Sequence, residues 1–381
     1  MFNKIAAIAS TVSATSLHGW SKPLRAAALF SVCVCITSTA SAQWSITDLG
    51  VLPGGADFSQ AQSINNAGQV AGYSQAAAGQ SAVLWQNGVM TNLGDLPGGN
   101  SSNAFGINNA GQVVGYSSIG RAFLWQNGSM TNLGVLPGGW VSTAYGINDA
   151  GQVVGYSQVG ASPQAFLWQN GVMTNLGALP GFNDGSAAYG INNTGQVVGS
   201  SYSVANGHRA FLWQNGSMTD LGNQPVGTDG IVAQRINNAG QVVGYSYSGG
   251  DHLAFMWQNG VMTDLGDLPG GSRFTVPQGI NNAGQVVGYS SGTANTQAFL
   301  WQNGVMTDLS TVSGVDGTGW SLVIANAIND AGQIVGYGTN PQGENHAFLL
   351  TPVPEPETYL MMGAGVCLAG VIARRRKKIS Q

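Results

Sequence analysis

The amino-acid sequence predicts an all-β fold, a seven-bladed β-propeller of four-stranded blades at residues 43–352. Three observations lead to this prediction. A short phrase recurs seven times, each repeat contains four strand-length segments, and those segments carry apolar residues on both faces. A sheet with two apolar faces must be covered on both sides, as a propeller blade is by its two neighbours.

Seven copies of the phrase Ile-Asn-(Asn/Asp)-x-Gly-Gln define the repeats, at spacings of 43, 40, 44, 45, 44 and 48 residues. They begin at Ile64, Ile107, Ile147, Ile191, Ile236, Ile280 and Ile328. A second phrase, Trp-Gln-Asn-Gly, occurs in every repeat but the last and begins at Trp85, Trp125, Trp168, Trp213, Trp257 and Trp301. The constant order of the two phrases makes each repeat one structural unit.

Each repeat contains four segments typical of β-strands. In the third repeat these are residues 144–147, 152–156, 165–168 and 172–176, which are rich in β-branched and aromatic residues. Asn170-Gly171 between the last two segments is a strong hairpin signal, because both positions tolerate positive φ. The Leu-Pro-Gly-Gly segment at 136–139 interrupts any strand, and segments like it connect one meander to the next.

The ends of the repeat region predict that the ring closes. Residues 44–50 resemble a fourth strand with no third strand before it, and residues 346–350 resemble a third strand with no fourth strand after it. Pairing of these segments would complete one blade from both chain ends and remove open strand edges. The alternative is an open β-solenoid, in which the two half-units stay unpaired.

Residues 1–42 are predicted to be a cleavable signal peptide. Basic residues precede an apolar run at 26–36, and the small residues Ala40 and Ala42 place signal peptidase cleavage before Gln43. The run is about half of the roughly 20 residues that span a membrane, so a permanent anchor is the weaker alternative. The basic region is longer than usual, which indicates either an extended leader or a start downstream of Met1.

The C-terminal residues 353–381 have a different three-part pattern. A Pro-Glu-Pro segment is followed by an uncharged stretch at 359–373 and then by five basic residues at 374–378. Fifteen residues form a helix of roughly 22 Å, so this short transmembrane segment is a marginal anchor. The basic cluster should stay cytoplasmic, which leaves the repeat region outside the cytoplasm.

This tail resembles the PEP-CTERM sorting signal of Gram-negative bacteria, whose members are cut by the membrane protease exosortase and moved to the cell surface or matrix. The resemblance implies that Pro354, Glu355 and Pro356 are the residues that the protease recognises, and that the catalytic residues belong to exosortase. An ordinary tail anchor is the alternative.

The repeats resemble the HAF repeat of bacterial extracellular proteins. The family pattern of Ala-Phe, an aromatic residue, Gly, Met and Asp-Leu-Gly is present as Ala254-Phe255-Met256-Trp257 through Gly260, Met262 and Asp264-Leu265-Gly266, and His346-Ala347-Phe348 spells the name. The resemblance spans about residues 44–350 and implies an extracellular repeat protein. It supplies no family active site.

Charge and cysteine content exclude several functions for residues 43–352. This region has 14 acidic residues and four arginines, a formal charge of −10, which disfavours nucleic-acid binding. All three cysteines, Cys33, Cys35 and Cys367, lie outside it. Disulfides, thiolate metal sites and cysteine catalysis are therefore excluded there.

A carbohydrate-active enzyme, a glycosidase or lyase, would need convergent carboxylates or a base with a metal. The recurrent acidic position alternates between Asp and Asn without pattern, which suits a turn hydrogen bond better than proton transfer; it comprises Asp48, Asn92, Asn132, Asn175, Asp220, Asp264 and Asp308. His208, His252 and His346 occupy nearly equivalent positions in different repeats and are predicted to lie apart as surface residues. Asn183-Asp184-Gly185 and Asp316-Gly317 lack the alternating ligands of a calcium loop. A weak ion site there stays open.

The binding candidates are residues of the variable connecting loops, Trp140, Phe182, Arg273 and Trp320, because loops on a rigid scaffold commonly carry function. The six repeated tryptophans could stack on sugars, but their place in apolar strands favours packing between blades. The Asn-rich turns could likewise line one rim for a glycan, although such residues form these turns anyway.

These observations predict an exported, non-catalytic surface or extracellular-matrix protein that binds a glycan or a surface protein. No cofactor and no metal are expected. The expected partners are signal peptidase, exosortase, the inner membrane transiently, and exopolysaccharide or surface proteins.

Overall fold

The computed structural model describes residues 43–77, 79–222, 229–292 and 295–353, which form a propeller-like all-β fold. The signal peptide with Ala40 and Ala42, the residues Pro354, Glu355 and Pro356, and the segment 359–373 lie outside the described residues. Among the residues described, none belongs to a helix long and apolar enough to cross a membrane.

The strands group into seven units of similar build, numbered here in chain order. Unit 1 contains β2 (Ser59–Ile64), β3 (Val70–Ala76), β4 (Gly79–Gln86) and β5 (Val89–Gly94). Unit 2 contains β6 (Ser102–Ile107), β7 (Val113–Ser117), β8 (Arg121–Gln126) and β9 (Ser129–Asn132). Unit 3 contains β10 (Gly139–Ile147), β11 (Val153–Val159), β12 (Ser162–Gln169) and β13 (Val172–Gly177).

The remaining units continue the pattern. Unit 4 contains β14 (Gly185–Ile191), β15 (Val197–Ser203), β16 (Gly207–Gln214) and β17 (Ser217–Asp220). Unit 5 contains β18 (Gly230–Ile236), β19 (Val242–Ser248), β20 (Asp251–Gln258) and β21 (Val261–Asp264). Unit 6 contains β22 (Gly271–Ile280), β23 (Val286–Gly292), β24 (Thr296–Gln302) and β25 (Val305–Asp308), followed by a 3-10 turn at Leu309–Thr311. Unit 7 contains β26 (Ser321–Ile328), β27 (Ile334–Thr339), β28 (Asn345–Val353) and the first strand of the chain, β1 (Gln43–Asp48).

Each unit is an antiparallel meander of four strands. Single parallel bridges, His208 to Gly230 and His252 to Phe274, join units 4, 5 and 6 into one twelve-stranded sheet. In unit 7, β1 pairs antiparallel with β28 over six residue pairs, from Gln43 opposite Val353 to Asp48 opposite Phe348. The two ends of the described region therefore share one sheet.

The Trp-Gln-Asn-Gly segments form the predicted tight hairpin turns. The six asparagines of these turns have φ between 50° and 53°, and the glycine that follows is also in the left-handed region, as in Asn170 and Gly171 with φ of 51° and 84°. Two consecutive positive φ values define the hairpin turn that matches strand twist, and Asn-Gly adopts it at the lowest cost.

The core is built between units. One cluster joins Val114 and Leu133 of unit 2 to Ala144, Val153 and Phe166 of unit 3, and equivalent clusters lie at the other junctions. The largest fully buried side chains are the third-strand phenylalanines Phe123, Phe166, Phe211, Phe255, Phe299 and Phe348. Burying one such ring stabilises the fold by roughly 1.5–3 kcal/mol.

The repeated tryptophans are less central than these phenylalanines. Of the six, only Trp85 is buried, with 3% of its surface exposed and its Nε1 donating to the carbonyl of Leu49 at 2.8 Å. Trp168 is half-buried and packs against the cluster shared by units 2 and 3. Packing between units, as expected, is the role that the structure gives them.

Candidate functional site

The first asparagine of each repeated phrase links its unit to the next one. The Nδ2 atom of Asn65 donates to the main-chain carbonyl of Asn108 in unit 2 at 3.0 Å, and every later unit repeats the link at 2.9–3.0 Å. In unit 7, Asn329 donates to the carbonyl of Asn65 at 3.0 Å. These seven buried asparagines, hereafter the first asparagine layer, form an uninterrupted cycle of hydrogen bonds and comprise Asn65, Asn108, Asn148, Asn192, Asn237, Asn281 and Asn329.

Each amide in this layer is fully used. The Nδ2 atom of Asn148 also donates to Oε1 of Gln152 at 2.7 Å, and its Oδ1 accepts from the main-chain N–H of Gln152 at 3.0 Å. Buried amides are stable only when such partners exist. The turn sequence Asn-x-x-Gly-Gln therefore supplies both the turn and the contact between units.

The next residue of each phrase forms a second layer. Its Oδ1 accepts a hydrogen bond from the main-chain N–H of the equivalent residue in the preceding unit at 2.9–3.0 Å. These bonds also form a full cycle, in which the main-chain N–H of Asp330 donates to Oδ1 of Asn66. The second layer comprises Asn66, Asn109, Asp149, Asn193, Asn238, Asn282 and Asp330. Both layers line a cavity of about 170 Å³, called here the asparagine cavity.

Two carboxylates interrupt the amides of the second layer. Oδ2 of Asp149 accepts from the side-chain amides of Asn109 at 2.9 Å and Asn193 at 2.7 Å. Burial acts to raise the pKa of Asp149, but the hydrogen bonds from Asn109 and Asn193 outweigh it and the pKa is lowered; the same holds for Asp330 between Asn66 and Asn282. Both carboxylates are therefore ionised at neutral pH.

The first strand of every unit contains a β-bulge two residues before its last isoleucine. In unit 3 the register shifts between Ala144 and Gly146, which leaves Tyr145 without a partner in the ladder. The equivalent bulge residues are Gln62, Phe105, Tyr145, Tyr189, Gln234, Gln278 and Asn326. A bulge re-aims a side chain away from the regular alternation.

Six of the seven bulge residues line one common cavity of about 160 Å³, called here the bulge cavity. The isoleucines that end the first strands line both this cavity and the asparagine cavity. The bulge cavity wall has three parts. Units 2 to 4 contribute the aromatic rings of Phe105, Tyr145 and Tyr189, unit 5 contributes Arg235, and units 6, 7 and 1 contribute amides.

The aromatic part of the wall is continuous. The ring centroids of Phe105 and Tyr145 lie 5.6 Å apart and those of Tyr145 and Tyr189 lie 5.5 Å apart. Burial raises the pKa of Tyr145, and Tyr156 and Tyr189 raise it further, while the charge of Arg235 lowers it. The hydroxyls of this wall thus stay protonated at neutral pH and can donate hydrogen bonds.

Arg235 is the cation of this wall. Its Nη1 donates to the carbonyls of Tyr189 at 3.1 Å and Gln234 at 2.9 Å. No ion pair within the described residues includes it. Burial lowers the pKa of Arg235, and Tyr145 raises it. In its place the other units have Ser63, Ala327 or glycine, so no sequence pattern marked this position.

The four loop candidates do not share a site: no hydrogen bond, ion pair or ring contact in the described part of the chain joins any two of them. Trp140 is 60% exposed, and Arg273 pairs with Asp251 at 3.1 Å. Phe182 packs against the cluster between units 3 and 4, and the ring of Trp320 meets Phe348 edge-on at 6.4 Å. Trp140 alone keeps a large exposed aromatic surface.

The expectation that the three histidines are surface residues is wrong for His346, which is buried, and two of the three contact a common ring. His208 and His252 both contact the ring of Tyr247, with centroids 6.2 and 6.1 Å away, and His252 stacks on Phe274 at 4.0 Å. Tyr247 of β19 thus connects the equivalent positions of units 4 and 5 in one row of rings. Burial lowers the pKa of both histidines, so both are neutral at pH 7. His346 lies in unit 7, where its Nδ1 is 2.9 Å from Oδ2 of Asp48.

The recurrent Asp/Asn position makes turn hydrogen bonds, as expected. Oδ1 of Asn175 accepts from the N–H of Gly177 at 2.8 Å, and the other six positions repeat this geometry with the residue two further on. Across the described ranges no three His, Cys, Asp or Glu side chains come together as a metal site.

Comparison with known proteins bears on the tail and on the fold. Residues 352–377 match the PEP-CTERM protein-sorting motif. The PEP-CTERM motif implies export, membrane-anchored sorting and processing by exosortase. It begins one residue before the segment predicted from the sequence. No curated protein matches the chain.

Two solved structures are similar in fold. An oligogalacturonate lyase from Vibrio parahaemolyticus has 11% sequence identity and a TM-score of 0.52, over 83% of this chain and 98% of that one. A second oligogalacturonate lyase, solved in complex with manganese, has 14% identity and a TM-score of 0.50, over 83% and 99%. At such identities the likeness concerns the fold alone.

Proposed function

We propose that this protein is an exported, non-catalytic binding module of the cell surface or extracellular matrix, which holds a glycan in the bulge cavity. The observation that carries the proposal is the wall of that cavity, to which all seven units contribute. Six units contribute their bulge residue, and unit 5 contributes Arg235, which follows its bulge residue Gln234. Aromatic faces stack on sugar rings, and amides match sugar hydroxyls as donors and acceptors.

The architecture proposed for the body is a closed seven-bladed β-propeller. Support comes from the pairing of β1 with β28 and from the two asparagine layers, whose last members bond to the first. An open β-solenoid would lack the hydrogen bonds from Asn329 to Asn65 and from Asp330 to Asn66. The HAF-repeat resemblance, which implies an extracellular protein, is consistent with this proposal.

The proposed route to the surface uses both chain ends. Signal peptidase removes residues 1–42 after Ala42, the tail holds the body transiently at the outer face of the inner membrane, and exosortase reads Pro354, Glu355 and Pro356. The match to the sorting motif at 352–377 supports the second and third steps. Exopolysaccharide is the class of partner that fits both the proposed location at the cell surface and the bulge cavity.

Catalysis is the competing function, since two lyases share the fold. The acidic residues that recur in the repeats are engaged in turns, and the two carboxylates of the asparagine cavity are each held by two amides. These roles favour binding over proton transfer.

A glycan array probed with the full-length protein in detergent, together with a turnover assay on the same glycans, tests the proposal. Binding without turnover is the expected result. Release of cleaved or unsaturated sugars would replace the binding module by an enzyme, and a blank array would remove glycans as the ligand class.

A separate experiment tests the sorting route. Replacement of Pro354, Glu355 and Pro356 by alanine should leave export intact and stop tail processing, because only the recognition element is changed. Cell fractionation and intact mass report both steps. Normal appearance of a tail-less form in the variant would contradict the assignment of these three residues.

A further inference from the structure

We infer that the bulge cavity selects a sugar that carries a carboxylate, such as a terminal uronic acid, and that Arg235 binds this group. The inference rests on the proposed function, since it names the substrate class of the same cavity. The inference goes beyond the proposed function because it assigns Arg235 to the carboxylate of the ligand.

The first argument is the unbalanced charge of Arg235. A guanidinium has five N–H donors, and the contacts of Nη1 with the carbonyls of Tyr189 and Gln234 use two of them. Within the described ranges Nε and Nη2 have no protein acceptor, and no carboxylate lies within 4.0 Å. A half-buried cation without a counter-ion is costly, and its one free edge, with the N–H donors of Nε and Nη2 side by side, matches a carboxylate.

The second argument is the position of Arg235 in the wall. It lies in the cavity wall between two groups of side chains. On one side are the aromatic rings of Tyr189, Tyr145 and Phe105, called here the aromatic arc, and on the other are the amides of Gln278 and Asn326. A pyranose ring that stacks on the aromatic arc would direct a ring substituent to the arginine and its hydroxyls to the amides. The charge of Arg235 also acts on Tyr145 of unit 3, where it opposes the rise of the Tyr145 pKa that burial causes.

The third argument is size. A volume of about 160 Å³ is below the roughly 300–1,000 Å³ typical of cavities that take drug-sized ligands. The cavity therefore accepts one small group, such as the terminal residue of a chain, rather than several consecutive sugars. An acidic peptide would offer a carboxylate to Arg235 but no ring face to the aromatic arc, so the sugar fits more of the wall.

The experiment compares two disaccharides that differ in one group, one ending in glucuronic acid and one ending in glucose, by titration calorimetry with the full-length protein in detergent. The wild type should bind the glucuronic acid disaccharide at least tenfold more tightly. Arg235→Gln should reduce that affinity about 10- to 100-fold, the loss expected for a hydrogen-bonded charge, and leave the glucose disaccharide within twofold.

Arg121→Gln is the matched control. Nη1 of Arg121 also donates to two main-chain carbonyls, those of Gly120 and Trp140, but Arg121 does not line the bulge cavity. The control should bind both disaccharides as the wild type does. An equal loss of affinity in both arginine variants would mean that the hydrogen bonds from Nη1 to main-chain carbonyls matter, and not the charge in the cavity. That result would overturn the inference.

Further outcomes separate this inference from the proposed function. Equal affinity of the wild type for both disaccharides would overturn the role of Arg235 while glycan binding stands, and this result needs no folded variant. Binding of neither disaccharide, together with a blank glycan array, would remove the proposed function itself. Tighter binding of tetraglutamate than of the glucuronic acid disaccharide would assign the cavity to an acidic peptide and overturn the sugar.

Discussion

The side-chain amide of Asn329 donates to the main-chain carbonyl of Asn65 at 3.0 Å, although 264 residues separate them in the chain. This hydrogen bond joins the same two types of atom at the same distance as the bond between Asn148 and Asn192, which lie in consecutive units. A junction between the two ends of the repeat region is thus built like an internal junction.

The asparagine links lead to a first prediction. Asn329→Ala and Asn148→Ala should each lower the free energy of unfolding by about 1–3 kcal/mol, because each removes a buried hydrogen bond between units and the side-chain acceptor of a main-chain N–H, that of Gln333 or Gln152. Urea unfolding measures both. Gln302→Ala is the control, since Gln302 is exposed and water replaces its bond with Gln285. A full cost at Asn148 with none at Asn329 would contradict the closed ring.

A second prediction concerns β1. Deletion of residues 43–48 should expose the edge of β28 and remove the packing of Trp44 and Ile46 against unit 7. Hydrogen exchange should then quicken most at residues 321–353, at the opposite end of the sequence, while residues 139–177 of unit 3 report the undisturbed background. Faster exchange confined to residues 59–94 is the result that an open solenoid would give.

The third prediction compares neighbours in β12. Phe166 is fully buried and Trp168 is half-buried. Phe166→Ala should destabilise the protein by about 3–5 kcal/mol, and Trp168→Ala by less, because its site is already open to solvent on one side. Thermal melting ranks the two, with the exposed Gln169→Ala as reference. A Trp168→Ala variant that melts normally but no longer binds glycans would make this tryptophan a ligand contact.

The fourth prediction is a pH dependence. The pKa values of Asp149 and Asp330 are lowered from their ordinary 3.8 in the folded state, so these carboxylates contribute stability above about pH 3.8 that is lost as the pH falls through the lower folded values. In the double variant D149N/D330N, amides face the flanking asparagine amides at all pH values. The stability gap between wild type and variant should therefore close as the pH falls below about 3.8 in urea unfolding. A constant gap over this range would show that ionisation plays no part.

The period of the sequence was sufficient to predict the strands, the tight turns and the segments that pair in unit 7. It could not rank Phe166 above Trp168, because alternate residues of a strand share a face and depth on that face is set by the neighbouring unit. The sequence also did not reveal that His346 is buried or that His208 and His252 contact a common ring. Equivalence within a repeat says nothing about distance across a junction, where Tyr247 touches both His208 and His252.

The candidate cavity was hidden from the sequence by the β-bulges. The bulge residue varies among the units between Gln, Phe, Tyr and Asn, as in Gln62, Tyr145 and Asn326, so it resembles an unconstrained surface position. Only the pairing register shows that all seven occupy one structural place. Arg235 was passed over in the same way, since the position before the isoleucine is otherwise small.

The bulge residues have no opposite residue in the strand ladder, while the asparagines a few residues later link the units by hydrogen bonds. Under the proposed function, specificity and assembly would therefore depend on separate side chains of the same strand and its turn. If the bulge cavity holds the ligand as proposed, substitutions at the six bulge positions that line it would change the ligand without any change in how the units join, and a duplicated unit would bring both the residues of a junction and one further position in the cavity wall.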